Sequence, residues 1–476
     1  MRKNDNVTPI KPRTRAGAKI ANAFNLRCEL RSNGLTQNLV GFNEFSLELG
    51  LLRPIPRPGL QTPDDFIPRA WIDADDTALA EFLNVAGFLK PTRSLIRDVV
   101  ELEARGNSFH PVRDFLDSLA WDATPRLSRF LIEHCGAVIT GDKAEDEETA
   151  AAYIEHVTRA FFIGGVARIY RPGCKLDTMI ILEGAQGILK SQLLRVLAVR
   201  DEWFSDSLPH DLSTKDAKVH LRGVWIVEMS EIGHLRRSEV GAVKNFLSCQ
   251  ADRYRPPYGR SDVIAPRQCI FVGTTNEQEY LHDPTGNRRF WPVKVTRVDL
   301  ASITPIVDQL WAEAVNAYRS GEKWWLDIKQ EEVAAEEQSN RMQLDPWFQP
   351  IAEFVGKTTA TSITTADVLD HLQVDVSRRE RAHEMRVGTT LRQLGWQRGR
   401  PRGGGRRAYV YTRRPRCAHC GKGDEAGALK QCAVDGVALL LHDCCISEFN
   451  PDQHHEDYGD NGAGDWDVHN RSTNNE

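Results

Sequence analysis

Residues 184–191 read Gly-Ala-Gln-Gly-Ile-Leu-Lys-Ser, and they follow a short apolar run at 178–182. A strand that leads into a glycine-rich turn and then a helix exposes backbone N–H groups, which bind phosphate at the helix N-terminus. The spacing therefore predicts a P-loop that binds a nucleotide. The phosphate-binding residues predicted in this way are Gly184, Ala185, Gln186, Gly187, Ile188, Leu189, Lys190 and Ser191.

Two residues of this turn have expected roles and one departs from the motif. Lys190 is expected to reach the β and γ phosphates, and Ser191 is expected to hold Mg²⁺. Leu189 stands where the motif has glycine, so it adds a Cβ and a bulky side chain to a crowded turn. A surface turn that opens a helix is the alternative interpretation.

Two further apolar runs end in polar residues. Residues 224–227 lead to Glu228, with Glu231 just beyond, and residues 269–273 lead to Thr274, Thr275 and Asn276. Alternating strand and helix signals predict a parallel sheet flanked by helices, which binds ligands at the carboxyl ends of its strands. Glu228 is expected in the water shell of Mg²⁺ and Glu231 as general base, although these roles could be exchanged. Asn276 is expected to hold the attacking water. The alternative for Glu231 is an exposed acid at the start of a helix, and the alternative for Asn276 is a residue that only caps a turn.

A pair of arginines, Arg288 and Arg289, precedes Phe290 and Trp291. Such a pair could reach the nucleotide of a neighbouring subunit as an arginine finger. Buried aromatic neighbours would hold and aim it, and a salt-bridged surface pair is the alternative.

Several stretches resemble the virulence-associated E family, which comprises phage- and plasmid-borne P-loop ATPases related to superfamily-3 helicases. They include His-Pro-Val-Arg-Asp-Phe at 110–115, Asp-Arg-Tyr-Arg-Pro-Pro-Tyr-Gly at 252–259 and Gly-Asn-Arg-Arg-Phe-Trp-Pro at 286–292, and the likeness runs from about residue 109 to 293. The resemblance implies an ATP-driven helicase or initiator of mobile-element replication, assembled as a homo-oligomeric ring such as a hexamer. Longer relatives often contain a primase-polymerase module for which this chain has no room, so a separate primase is an expected partner.

The resemblance also implies a hairpin that projects into the pore of the ring, within residues 252–267. Its predicted contacts with single-stranded DNA are Arg253, Arg255, Tyr258 and Arg260, accompanied by Arg267. Arginine and tyrosine there suit backbone tracking and base stacking. A solvated loop is the alternative. Because Leu189 departs from the family's glycine, a nucleotide-binding, DNA-binding regulator that does not hydrolyse ATP is a second functional hypothesis.

The C-terminal part is strongly basic before it becomes acidic. Residues 376–416 contain thirteen arginines and only two acids, Glu380 and Glu384. Helices followed by a short hairpin predict a winged helix that binds double-stranded DNA, with Arg378 and Arg379 as contacts. Beyond it, Cys417 and Cys420 form one pair and His442 and Cys445 a second, as in a structural zinc ribbon. Cys444 could replace Cys445, and Cys432 could be the fourth thiolate.

The predicted fold class is α/β: a P-loop NTPase (AAA+-like) core with an N-terminal helical region, a C-terminal winged helix and a small zinc ribbon. The 476 residues exceed one ordinary core. No apolar run approaches the roughly 20 residues of a membrane span, and the basic start has no apolar signal region, so we expect a cytoplasmic protein. The expected boundaries are a loosely ordered lead-in at 1–64, helical region 65–150, ATPase core 151–320, winged helix 345–415, zinc ribbon 416–447 and disordered acidic tail 448–476.

Overall fold

The computed structural model divides the chain into two units, Met1–Gln343 and Leu344–Glu476. It describes residues 17–57, 65–138, 147–234, 237–255, 262–281, 287–342, 345–358, 360, 362–399, 410–413, 429–434 and 437–442.

The first unit begins with a small layer of helices on a mixed sheet. Its elements are α1 (Ala23–Ser32), β1 (Val40–Asn43), β2 (Glu48–Leu51), β3 (Arg69–Ala70), α2 (Asp73–Val85), α3 (Arg93–Gly106) and β4 (Ser108–Phe109). The strand order is β3-β2-β1-β4, with β1 and β4 parallel and the other pairs antiparallel. Leu26, Leu83 and Val100 are fully buried between these elements.

The structure differs here from the expected loosely ordered lead-in. Residues 17–57 contain α1, β1 and β2, and their Leu30, Val40 and Leu51 join the core formed with α2 and α3. The two strands are only four residues long. They are too short to show a periodic apolar pattern against the polar sequence around them.

A six-stranded sheet forms the centre of the first unit. The elements that build it and flank it are α4 (Pro111–Ser118), α5 (Phe130–Cys135), β5 (Ala137–Val138), α6 (Glu147–Tyr170), β6 (Met179–Glu183), α7 (Lys190–Leu197), β7 (Phe204–Ser205), α8 (Lys215–His220), β8 (Ile226–Met229), α9 (Arg237–Ser248), β9 (Ala251–Tyr254), β10 (Val263–Pro266), β11 (Ile270–Thr275), β12 (Phe290–Val295), α10 (Leu300–Ile303), α11 (Val307–Arg319) and α12 (Ile328–Asn340). The strand order is β5-β12-β6-β11-β8-β7, while β9 and β10 pair as a separate antiparallel hairpin.

Five of the six strands are parallel, and β5 is antiparallel at the edge. Alternate residues of β6 belong to two different hydrophobic cores. Ile180 and Leu182 pack in one core, and Met179 and Ile181 pack in the other. Both faces of the sheet are therefore buried, as parallel sheets require. The predicted parallel sheet flanked by helices is confirmed.

Tryptophans fix the helices against the strand that leads to Glu228. The rings of Trp225 and Trp311 lie 4.1 Å apart between centroids, and both side chains are fully buried. The indole N–H of Trp225 donates to the Gly165 carbonyl at 3.1 Å, and that of Trp311 to the Leu197 carbonyl at 2.9 Å. These bonds join the residue before β8 to α6, and α11 to the end of α7.

A buried histidine begins α4. The Nδ1 of His110 accepts from the Arg113 amide at 3.1 Å, so its Nε2 carries the proton and donates to Gln268 Oε1 at 2.6 Å. Burial lowers the pKa of His110. The imidazole is thus neutral in the folded protein and protonates more readily in the unfolded chain.

We expect the free energy of unfolding to fall as the pH drops below about 6.5, the value for an unfolded histidine. The stabilisation is complete above that pH and is lost as the pH falls through the lowered folded value. His110→Asn keeps a good N-cap and removes the titrating imidazole, so it should reduce this pH dependence. Urea unfolding at pH 7.5 and pH 5.5 measures it; identical pH dependence in both proteins would contradict the assignment.

The second unit contains α13 (Phe348–Lys357), β13 (Ser362–Thr364), α14 (Thr365–His371), α15 (Arg381–Gln393), β14 (Trp396–Gly399), β15 (Val410–Arg413), β16 (Leu429–Val434) and β17 (Val437–His442). The strands β13-β15-β14 form an antiparallel sheet, and β16 pairs with β17. Ile351, Val368 and Leu391 from the three helices meet Trp396 in one core.

Candidate nucleotide site

Three neighbouring parallel strands end at the same edge of the central sheet. The strand β11 lies between β6 and β8, with Thr275 paired to Glu183 and Val272 paired to Glu228. The glycine-rich turn leaves β6 at this edge, and Asn276 follows β11. This arrangement brings together five of the polar residues singled out from the sequence: Lys190, Ser191, Glu228, Thr274 and Asn276.

The turn between β6 and α7 depends on glycine where it leaves the strand. A Cβ on Gly184 would lie 2.4 Å from the carbonyl oxygen of Val295 in β12, so no other residue fits without moving the backbone. Gly187 has a φ of 86°, which glycine adopts without steric cost. The turn then delivers the chain into α7, whose first residue is Lys190.

Leu189 is held in a left-handed conformation, with φ 72° and ψ 28°. Its side chain is 42% exposed. Steric crowding of the side chain, which the sequence predicts, is thus the smaller cost of having leucine in place of glycine at this position. The larger cost is the backbone conformation, about 1–2 kcal/mol for a residue with a Cβ.

We expect Leu189→Gly to be more stable than Leu189→Ala by about 1 kcal/mol, because both variants lose the side chain and only alanine keeps the strain. The matched pair Gln192→Gly and Gln192→Ala, at an exposed position in α7, should show the opposite order, because alanine is favoured inside a helix. Chemical denaturation of the four variants measures both differences. Leu189→Ala being more stable than Leu189→Gly, as alanine is expected to be at position 192, would show that Leu189 is unstrained.

Glu228 is the buried acid of the site. Its side chain is 2% exposed, and Oε1 accepts hydrogen bonds from Ser191 Oγ at 2.8 Å and Thr274 Oγ1 at 2.6 Å. Its Oε2 is buried and has no hydrogen-bond partner among the described residues. A buried carboxylate oxygen without a partner is costly, so it indicates a position where a cation or its water shell completes the site. Ser191 and Glu228 therefore fit the predicted Mg²⁺.

Lys190 lies between the turn and Asn276. Its Nζ donates to the carbonyls of Gly184 and Ala185, at 2.6 and 3.0 Å, and to Asn276 Oδ1 at 3.0 Å. Burial lowers the pKa of Lys190, and the nearby Glu228 carboxylate opposes that shift. Because Oδ1 of Asn276 accepts from the ammonium, its Nδ2 remains as a donor toward a ligand.

Three predicted catalytic residues lie outside this set. Glu231 is exposed, with a φ of 55°, and makes no hydrogen bond with the described residues. Arg288 and Arg289 directly precede β12, whose Phe290 pairs with Met179 at the amino end of β6. The five residues of β6 separate this pair from the turn by roughly 16 Å.

One buried group beneath the turn was missed by the sequence analysis. The Glu183 carboxylate accepts from Arg341 Nε and an Nη at 2.7 and 3.0 Å, and from the Tyr280 hydroxyl at 2.6 Å. Burial is the largest single influence on the pKa of Arg341 and lowers it, but the hydrogen bond to Glu183 and the negative charges of Glu183 and Glu337 together raise the pKa above its ordinary value. An acid before Gly184 is a weak local signal, and nothing in the sequence pairs it with an arginine 158 residues away.

The predicted DNA-binding hairpin exists as β9 and β10, with its root buried. Arg253 pairs with Asp262 at 3.2 Å on the surface, and Arg255 is exposed, while Tyr258 and Arg260 lie outside the described residues. The expectation that Arg267 also contacts DNA is wrong. Arg267 is 2% exposed and donates two hydrogen bonds to Asp252, at 2.7 and 3.0 Å, which anchor the base of the hairpin.

The two arginines predicted to bind DNA in the second unit differ from each other. Arg379 forms an ion pair with Asp370 and donates to the Val374 carbonyl at 3.0 Å. Arg378 is exposed, and its side chain makes no hydrogen bond or ion pair with the described residues. Arg378 is thus the freer of the two for a phosphate contact.

The predicted zinc ligands are not among the described side chains. Cys417, Cys420 and Cys445 lie outside the described residues, and His442 ends β17. Among the described side chains, no group of three or more His, Cys, Asp or Glu residues could hold a metal. The zinc ribbon stays a prediction.

Residues 116–343 match the model of the virulence-associated protein E-like domain. The chain contains a virulence-associated protein E-like domain. The resemblance inferred from the sequence motifs is thereby confirmed. The virulence-associated E-like domain includes the complete candidate site, the Arg288–Arg289 pair and Arg341.

Solved structures similar to this chain come from the NrS-1 C-terminal region. The A form apo structure of residues 305–718 is 12% identical, covers 82% of this chain and 99% of that chain, and has a TM-score of 0.41. A second apo structure of the same region is 13% identical, with coverages of 78% and 95% and a TM-score of 0.42. No curated protein matches it.

Helices that could cross a membrane are absent from the described part of the chain, because none is both long enough and apolar enough.

Proposed function

We propose that this protein is a Mg²⁺-dependent ATPase that couples ATP hydrolysis to unwinding or remodelling of DNA during replication of a prophage or plasmid. The observation that supports it is the meeting of Lys190, Ser191, Glu228 and Asn276 at one sheet edge, beside a buried carboxylate oxygen without a partner. A phosphate cradle, a metal carboxylate and a water-orienting group are the parts that phosphoryl transfer requires.

Each residue of the candidate site has a separate role in the proposed reaction. Backbone N–H groups of residues 184–191 bind the phosphates, and Lys190 exchanges its carbonyl partners for phosphate oxygens. Ser191 and Glu228 would hold Mg²⁺, which would supply positive charge beside the phosphoryl oxygens. Asn276 orients the attacking water. Glu231, exposed at the turn that follows β8, is the proposed general base.

The arginine pair supports a ring. Arg288 and Arg289 lie at the amino edge of the sheet, whereas the nucleotide turn lies at the carboxyl edge of the same protomer. A pair that acts on the γ phosphate therefore acts on the nucleotide of a neighbouring subunit, in a homo-oligomeric ring such as a hexamer.

Contacts with DNA are assigned to two places. The β9–β10 hairpin, with Arg253 and Arg255, is proposed to track single strands in the pore. Residues 348–413 of the second unit form elements in the order helix, strand, helix, helix, strand, strand, which supports a winged helix for duplex DNA with Arg378 as a contact. A structural Zn²⁺ at 416–447 and a separate primase complete the proposal.

Measuring the ATPase rate with and without single-stranded DNA tests this function. We expect Mg²⁺-dependent turnover that DNA stimulates. The second hypothesis, a nucleotide-binding regulator that does not hydrolyse ATP, rests on the strained Leu189. Binding without turnover in the natural chain, together with turnover in Leu189→Gly, would favour the regulator.

A further inference from the structure

The two arginines at the amino edge of the sheet share one carboxylate. Arg288 Nη2 and Arg289 Nε lie 3.7 and 3.8 Å from the same Oδ2 of Asp177, two residues before β6 begins. Asp177 is 16% exposed, whereas Arg288 is 57% and Arg289 20% exposed. One negative charge between two positive charges leaves a net charge of about +1, which attracts phosphate and still orients both guanidinium groups.

Arg289 has a second anchor in α9. Its Nε donates to Ser248 Oγ at 3.1 Å, and that hydroxyl donates to the Lys244 carbonyl at 2.8 Å. The terminal nitrogens of Arg289 make no hydrogen bond with the described residues. The side chain is therefore fixed at Nε while its outer N–H groups remain available to a ligand.

We propose that Asp177 and Ser248 are positioning residues that aim Arg288 and Arg289 at the nucleotide of the neighbouring protomer. This inference rests on the proposed ATPase function and assigns a role to two residues that touch neither the nucleotide turn nor Glu228. Ion pairs with exposed partners contribute little to stability. The main effect of Asp177 is therefore to orient the arginine pair, and its effect on the stability of the fold is small.

The kinetic test uses Asp177→Asn and Ser248→Ala, with Asp216→Asn as a matched control at an exposed acid in α8. We expect each positioning variant to lower kcat about tenfold while the KM for ATP stays unchanged, because the arginine pair acts on charge that develops only in the transition state. The unfolding temperature should be unchanged, and Asp216→Asn should behave as the natural chain does.

A mixing experiment separates a role between subunits from a structural one. Lys190→Ala lacks a working pocket but has a correctly held arginine pair, and Asp177→Asn has the reverse defect. In rings formed from equal amounts of these two variants, about a quarter of the interfaces join an intact nucleotide pocket to a correctly held arginine pair. The ATP turnover of the mixture should therefore exceed the summed turnover of the two separate proteins. Mixing Asp177→Asn with the Arg288→Ala/Arg289→Ala protein should give no gain.

Each outcome bears on the inference. The inference would be overturned if Asp177→Asn and Ser248→Ala both hydrolyse ATP at the rate of the natural chain. It would also be overturned if both hydrolyse ATP slowly and mixing with Lys190→Ala does not restore the rate. Either result leaves the proposed ATPase function intact. Absence of turnover in the natural chain would instead reject the proposed function, and the inference with it.

Discussion

Replacing Lys190 with alanine is expected to reduce ATP turnover about 100-fold or more and to weaken nucleotide binding. The ammonium is the only cation that the described residues place within hydrogen-bond distance of both the turn carbonyls and Asn276. Its removal leaves the negative phosphates without a charged donor in a partly buried site, where such a contact is strong. Steady-state kinetics with saturating Mg²⁺ measure the effect.

Lys215→Ala is the control for Lys190→Ala. Lys215 is exposed at the start of α8 and makes no contact with the turn, so this variant should keep natural kinetics. The unfolding temperature of Lys190→Ala should be close to that of the natural chain, because the substitution removes a partly desolvated charge. Turnover that survives Lys190→Ala would reject the pocket.

Replacing Glu228 with glutamine is expected to lower turnover by about 100-fold or more and to abolish its dependence on Mg²⁺ concentration. Glutamine can still accept the hydrogen bonds of Ser191 and Thr274, so the local structure should persist. It replaces the unpartnered Oε2 with an amide group, which cannot bind a cation. The variant should therefore bind nucleotide without hydrolysing it, as titration with a fluorescent ATP analogue would show.

The comparison of Glu228→Gln with Glu231→Gln assigns the two acids. If Glu231 is the general base, its variant should also hydrolyse ATP slowly but should keep the natural response to Mg²⁺. A Mg²⁺ response lost in Glu231→Gln and kept in Glu228→Gln would show that the roles are exchanged. Natural turnover in Glu228→Gln would contradict the metal assignment.

The sequence predicted the strands of the site to within about two residues. The apolar runs at 178–182, 224–227 and 269–273 correspond to β6 (Met179–Glu183), β8 (Ile226–Met229) and β11 (Ile270–Thr275). These strands are buried on both faces, so each reads as a short continuous apolar run followed by a polar residue. Once they are parallel, the polar residues that follow them must meet at one edge, which is why the site could be inferred.

Other features depend on contacts distant in sequence. The strand β12 contains Pro292, which obscures its pattern, although it pairs with β6 through five residues. Arg267 resembles its exposed neighbours in the sequence, but Asp252 draws it into the root of the hairpin. The ion pair of Glu183 with Arg341 joins residues that no local periodicity relates. In each case the partner is set by tertiary packing.

Calorimetric titration with a non-hydrolysable ATP analogue and Mg²⁺ tests most directly whether the turn at 184–191 binds a nucleotide. We expect about one site per protomer in the natural chain, and binding weakened by about 100-fold or more in Lys190→Ala. No heat of binding at millimolar nucleotide, or equal affinity in the two proteins, would contradict this site.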